Sequence, residues 1–404
     1  MTNSFSNTAE AIVVGAGVIG ASIAYFLTEK GMKDVVLIDK GEPAGGATGR
    51  SVALTRFNYT SYGSSALAYQ SYKIFHDWEN RIGGPSGFNP VGLIHIVGED
   101  HMDDIKAQVK YLNREFSDEI VTVTADDCKK LQPFMFTGDI AGGSYQPKAG
   151  ATTSTETVNS LVRQGRAMGM KLRVDTKVLG LKVKSGRITG VITDQGDVEG
   201  PVVVLATGAW TAPLAKSAGV DVPIRGGRLS AGLLQRPDTL EFKNHMAVID
   251  GRRGGYLRPD IPPTTMIGIT YPEQNYHWSN DPDTHNSLIL QEELLRASEN
   301  IAHRFPGMDR AEWIRTWTCV DGYTPDHNMI LGETHEVSGL WIAAGGSGHG
   351  FKTGPAVGIL LAELIADGEV KIINDMSEFR YGRFGKDAWK NFDINSRKRM
   401  KFLS

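Results

Sequence analysis

Cysteine is almost absent from this sequence of 404 residues: only Cys128 and Cys319 occur. Two thiols so far apart make neither a disulfide framework nor a zinc-ligand cluster, and the histidines show no metal-ligand spacing, so no metal is expected. An excess of either charge is also missing. Lys and Arg number 43 against 46 Asp and Glu, a formal net charge of −3, which excludes the basic field of a dedicated nucleic-acid binder. No apolar run approaches the roughly 20 residues that cross a bilayer. The longest, Ala356 to Ala366, is broken by Glu363 and reads as a packed helix. Met1 to Asn7 lacks the basic region and apolar core of a secretory leader. These absences point to a soluble, cytoplasmic protein with neither a membrane nor a nucleic acid as partner.

Glycine is what the chain has in excess. Its 47 residues are about 12% of the total, against roughly 7% in average usage. No three-residue period runs through them, which excludes collagen, so they serve turns and close backbone approaches. The first group is Gly15, Gly17 and Gly20, entered from the apolar run Ala11–Val14. Such a run is expected of a parallel strand buried on both faces. Val18, Ile19, Ile23, Phe26 and Leu27 then mark one face of a helix, Val35–Ile38 is a second buried strand, and Asp39 stands at its end. A nucleotide pyrophosphate needs this arrangement. Gly15 permits the tight turn, Gly17 leaves room for phosphate, Gly20 lets helix and strand pack, and a carboxylate about 20 residues on accepts from ribose hydroxyls.

The pattern serves NAD and FAD alike, and two features favour FAD. The small-residue loop Gly45–Ser51, with Ala47, Thr48, Gly49, Arg50 and Ser51, follows the second strand directly. Ala206-Thr207-Gly208 supplies another close approach at the end of the strand Val202–Leu205. Strand-to-glycine-to-helix passages occur at 11–30, 202–215 and 340–365. Parallel strands of one sheet bring these together, so the intervening segments form a second domain. The expected fold is α/β: a Rossmann-like FAD-binding domain of residues 1–60, 145–222 and 320–404, with an inserted α+β substrate domain, 61–144 and 223–319, on an antiparallel or mixed sheet.

Gly49-Arg50-Ser51 with Arg56-Phe57-Asn58-Tyr59, and Thr324-Pro325-Asp326 with the stretch Gly345 to Lys352, carry a family resemblance. From about residue 10 to about 370 the sequence resembles the glycine oxidase, sarcosine oxidase and D-amino-acid oxidase superfamily of flavoproteins. Within it the likeness is greatest to the flavin (beta) subunit of heteromeric sarcosine oxidases and related amine dehydrogenases. The resemblance implies FAD, hydride transfer from the carbon next to an amine to flavin N5, and an imine that water hydrolyses. It implies a small secondary amine or an N-methyl or cyclic amino acid, sarcosine- or proline-like, as substrate. D-Amino-acid or glycine oxidation, or a flavin subunit of a hetero-oligomeric dehydrogenase, are the alternatives. Partner chains that accept the electrons or complete the assembly follow from the same likeness.

By motif position Arg56 and Lys352 are the family's carboxylate-binding pair, one offering a bidentate contact and the other a point charge. His349, inside the glycine loop, faces the flavin or satisfies a backbone carbonyl. Tyr256 walls the pocket or packs in the core, and Asp326 is a structural or flavin-positioning acid. Amides of Gly345, Gly346 and Gly348, leading into a helix N-terminus, suit the anion of the reduced flavin. Val18, Ile19, Lys40, Lys177, Val178, Trp210, Gly350 and Phe351 complete the cofactor set. Cys319 stands seven residues before Asp326, the spacing at which monomeric relatives carry a covalent flavin thioether; its other reading is a small buried residue. Met266 falls where sarcosine oxidases of this type place an oxygen-activating lysine, which favours a dehydrogenase.

Overall fold

Ala11–Val14 and Val35–Ile38 carry no polar side chain, and every residue of both strands is buried, as a sheet covered on both faces requires. They pair in parallel, with Ala11 opposite Val35. The computed structural model describes residues 7–116, 120–238, 240, 244–269, 278–279, 281–285, 287–385 and 388–390; Met1–Ser6, read above for a leader, lie outside these. Among the described residues one sheet has six strands, in the order Ile330–Glu333, Leu340–Ala344, Val203–Leu205, Ala11–Val14, Val35–Ile38 and Lys171–Arg173. Its neighbours are parallel except at the Ile330–Glu333 edge. The three glycine passages therefore leave adjacent strands at the same end of the sheet. This is the Rossmann-like half of the α/β fold.

Among the described residues the first helix, Val18–Glu29, is covered by the last, Gly350–Asp367. Two glycines set how closely they pack. A Cβ at Gly354 would lie 2.7 Å from Val18, and one at Gly358 would lie 2.5 Å from Ser22. Four residues apart, they share one helix face and let the two backbones approach.

A second, mixed sheet runs Trp278–Ser279, Arg225–Gln235, Thr264–Ile269, Tyr256–Pro259, Ala247–Asp250, Leu93–Val97, Gly142–Gln146 and Val121–Thr124, with Glu312–Tyr323 also paired to Arg225–Gln235. Side chains alternate between its faces. Ile94, Ile96, Val248, Leu257, Ile267 and Ile269 pack on one face with Ala297 and Ile301 of the helix Gln291–Arg304. The other face carries Leu93, Ala231 and Ala247 against Val52 and Leu54. Register aligns a row across this second face: Ser144, His95, Ile249, Tyr256, Gly268, Ala231 and Trp317. Among the described residues no helix is long and apolar enough to cross a membrane.

Candidate functional site

The strand ends of the six-stranded sheet and the second face of the mixed sheet bound a cavity of about 770 Å³. Gly15, Gly17, Val18, Ile19, Asp39 and Lys40 line it, as do Ala47, Thr48, Arg50, Ser51, Lys177, Val178, Ala206, Thr207, Gly208 and Trp210. Gly346, Gly348, Gly350, Phe351, Cys319 and Tyr256 line it too. Gly20 and Gly49 are not in the lining. Their glycine character serves packing: a Cβ would lie 1.8 Å from the Gly15 oxygen at Gly20, and 2.4 Å from the Ala44 oxygen at Gly49.

The residues present fit a dinucleotide. Gly15 has φ +103°, and a Cβ there would lie 2.5 Å from the Ala206 carbonyl oxygen, so only glycine keeps this turn open. Thr48 Oγ1 accepts the Val18 N–H at 3.1 Å, fixing the loop against the helix start. The Asp39 carboxylate accepts the N–H groups of Ala16 and Gly41 at 2.6 and 2.9 Å. Burial raises its pKa above the usual carboxylate range, and these two amides oppose that shift. Arg50 donates to the carbonyls of Gly45 and Gly46, and its own carbonyl accepts from Trp317 Nε1 at 2.8 Å. The glycine loop is thereby tied to the mixed sheet.

The glycine amides differ from expectation in one respect. The Gly348 N–H donates to the Asp321 carboxylate at 2.6 Å, and the Gly322 N–H donates to the same side chain at 2.8 Å. One of the three amides expected to face an anion is therefore engaged by the protein's own acid. Asp326 accepts both Nε and Nη2 of Arg383 at 2.9 Å and the Asn328 N–H at 3.0 Å.

Arg56, His349 and Lys352 do not line the large cavity. They gather one layer out, on the ring of Tyr59. The Arg56 guanidinium lies 4.3 Å and the Lys352 ammonium 5.5 Å from its centre, and His349 packs edge-on at 4.7 Å. His349 and Lys352 flank the lining residues Gly348, Gly350 and Phe351 in sequence, so the cluster adjoins that end of the cavity. Arg56 Nη1 donates to the backbone oxygen of Asn58, and to Asn58 Oδ1 at 2.8 Å. Among the described residues it pairs with no carboxylate. His95 stands nearby in the sheet row. Burial, then the charge of Arg56, lowers its pKa to about 4 and keeps the imidazole neutral.

Tyr256 lies across its cross-strand partner Gly268, where a Cβ would sit 2.0 Å from the Tyr256 Cζ. Met266 packs in the apolar cluster with Leu93, Ala231 and Trp317, with Arg258 and Leu233 as its strand partners. Burial, with Asp321 adding to it, pushes the Cys319 thiol up to about 12. Sequence reasoning places Tyr59 in a motif but assigns it no role, and does not mark Gly268, Asp321 or the turn Asp281–His285. A glycine inside a strand pattern marks close approach and was a readable sign for Gly268; the others depend on distant pairings.

Residues 10–364 match the FAD dependent oxidoreductase family. Sarcosine oxidase subunit beta of Rhodobacter capsulatus is 26% identical over 390 residues, which is 93% of this chain and 89% of that one. Mouse mitochondrial dimethylglycine dehydrogenase is 24% identical over 95% of this chain, but the match spans only 45% of that longer protein. The crystal structure of L-proline dehydrogenase from P. horikoshii superposes with a TM-score of 0.82 at 25% identity, covering 91% of this chain and 96% of that one. Together with the glycine-lined cavity, these matches make FAD the cofactor and oxidoreduction the activity, and the chain belongs to the family of FAD-dependent oxidoreductases.

Proposed function

We propose that the protein oxidises the C–N bond of a small secondary amino acid, an N-methyl or cyclic one of the sarcosine or proline kind, to an imine that water hydrolyses. The observation that carries this reading is the pair of cations, Arg56 and Lys352, on one aromatic ring beside the Gly348–Gly350 end of the cavity. A substrate carboxylate suits this pair: the planar fork of Arg56 takes its two oxygens and Lys352 adds a point charge. Anchoring the carboxylate restricts how the amine and its neighbouring carbon are presented, and such orientation contributes large rate factors. Bound FAD supplies the two-electron acceptor. Tyr256 and Trp317 offer apolar walls, and the N-terminus of the helix Gly350–Asp367 directs its positive dipole end at the cavity. Relatives named for sarcosine, dimethylglycine and L-proline support an N-substituted amino acid over a primary one. Anaerobic mixing with a panel of amino acids tests this: secondary amino acids should bleach the flavin, and bleaching by D- or primary amino acids alone would overturn it.

The acceptor and the flavin linkage belong to the same reading. An apolar Met266 in place of an ammonium supports a dehydrogenase that passes electrons to another carrier or to partner chains of a hetero-oligomer. Slow reoxidation of the reduced flavin by oxygen is then expected, and a fast second-order reaction contradicts it. Cys319 lines the cavity, which supports a thioether to the flavin. Acid precipitation should leave colour in the pellet, lost in Cys319→Ala; colour wholly in the supernatant excludes the link.

A further inference from the structure

Beside Asp39 and Lys40 the cavity is covered by a turn from far along the chain. Asp281, Pro282, Asp283 and His285 line it together with Lys40 and Trp210. Local chemistry holds this turn in shape. The Asp281 carboxylate accepts the Asp283 N–H at 3.0 Å, Pro282 opens the single helical turn Pro282–Thr284, and the Ser279 hydroxyl donates to the Asp281 carbonyl at 2.5 Å. Asp283 is thereby presented to three groups of the nucleotide-binding half. Lys40 Nζ contacts its Oδ1 at 2.5 Å, Trp210 Nε1 donates to the same oxygen at 2.9 Å, and Lys177 Nζ lies 3.8 Å from Oδ2. The Lys40 ammonium also sits 4.1 Å from the centre of the Trp210 ring. Lys40 follows the strand Val35–Ile38, Lys177 precedes the strand Val178–Lys184, and Trp210 follows the strand Val203–Leu205. One carboxylate thus ties three separate walls of the cavity together.

We propose that Asp281–His285 is a strap retaining the adenosine half of bound FAD, and that Asp283 is the positioning residue that latches it. The inference rests on FAD as cofactor and is independent of which amino acid is oxidised. The ion pairs are partly exposed, with side-chain exposures of 41% for Lys40 and 44% for Asp283. Such pairs contribute modestly and are screened by salt, so the latch tunes retention and does not lock it.

Release of FAD from the holoenzyme, followed as the rise in flavin fluorescence, tests the proposal. It is measured without substrate and in a Cys319→Ala background, so that no thioether holds the flavin. Asp283→Ala should release FAD about three- to tenfold faster, with Asp283→Asn in between. Salt near 1 M, where the Debye length is about 3 Å, should speed release more from the protein that keeps Asp283 than from Asp283→Ala. A merely structural aspartate would not confer that salt dependence. Equal release rates with and without Asp283, or a salt response untouched by its removal, overturn the proposal. Because no substrate enters the measurement, a failed substrate assignment leaves this result unaffected.

Discussion

The Arg56 guanidinium lies 4.3 Å from the centre of the Tyr59 ring, and the same ring meets Lys352 and His349. Tyr59 is itself anchored, since its carbonyl accepts from Gln108 Nε2 at 2.8 Å and Ser65 Oγ at 3.3 Å. A cation over an aromatic face is worth about 0.5–2 kcal/mol. Tyr59→Leu keeps bulk but removes the π-face, so KM should rise about 3- to 30-fold with a smaller change in kcat. Tyr59→Phe should stay close to the parent enzyme. Steady-state kinetics decide, and an unchanged KM in Tyr59→Leu would show that the ring is not the shelf for these cations.

Gly268 makes room for Tyr256. A Cβ at 2.0 Å from the phenol carbon cannot be accommodated without moving the ring. Gly268→Ala should lower stability by about 1–3 kcal/mol, as overpacking does, and should change KM because Tyr256 lines the cavity. Once Tyr256→Ala has removed the ring, adding Gly268→Ala should cost little. Denaturant unfolding of the double-mutant cycle reads the coupling, and simple additivity would refute the contact.

Gly15 tests the dinucleotide cradle. Its φ of +103° and the 2.5 Å approach of the Ala206 oxygen leave no place for a methyl group. Gly15→Val should therefore purify without yellow colour and with a lower Tm that added FAD fails to raise. A flavin-loaded Gly15→Val protein with normal Tm would contradict the geometry.

Two half-buried histidines contribute to the acid limb of stability. Burial and Arg56 lower His95 to about 4, and burial and Arg236 lower His245 to about 3. In the unfolded chain each takes up a proton near pH 6.5. Between these values the unfolded state binds more protons, so stability is full above about pH 6.5 and falls as pH drops, with the His95 part levelling off below about 4. That part reaches up to about 3 kcal/mol. The loss of urea midpoint between about pH 7 and pH 5 should be smaller in His95→Asn. An equal loss would show that His95 is not held neutral.

Much of the nucleotide-binding half was legible because its determinants are local. Four-residue apolar strands, a helical stripe and glycines between them need no distant partner to be read. The site beyond the loop was legible as residues but not as geometry. Arg56 and Lys352 stand nearly three hundred positions apart, and nothing in either neighbourhood reveals that Tyr59 joins them. The glycine loop before the last helix was readable as a source of amides, yet Asp321 claims one of them from another strand. Asp283 and its three partners Lys40, Trp210 and Lys177 are set by tertiary pairing alone, which no periodicity encodes.

The most direct test of the account asks whether Arg56 reads a carboxylate. Anaerobic stopped-flow bleaching of the flavin is measured with sarcosine and with the corresponding amine lacking the carboxylate, in the parent enzyme and in Arg56→Ala. The parent should be reduced by the amino acid far faster than by the amine. Arg56→Ala should lose about 100-fold or more on the amino acid alone. Equal rates for the two compounds in the parent enzyme, or an unchanged rate with the amino acid in Arg56→Ala, would contradict the account.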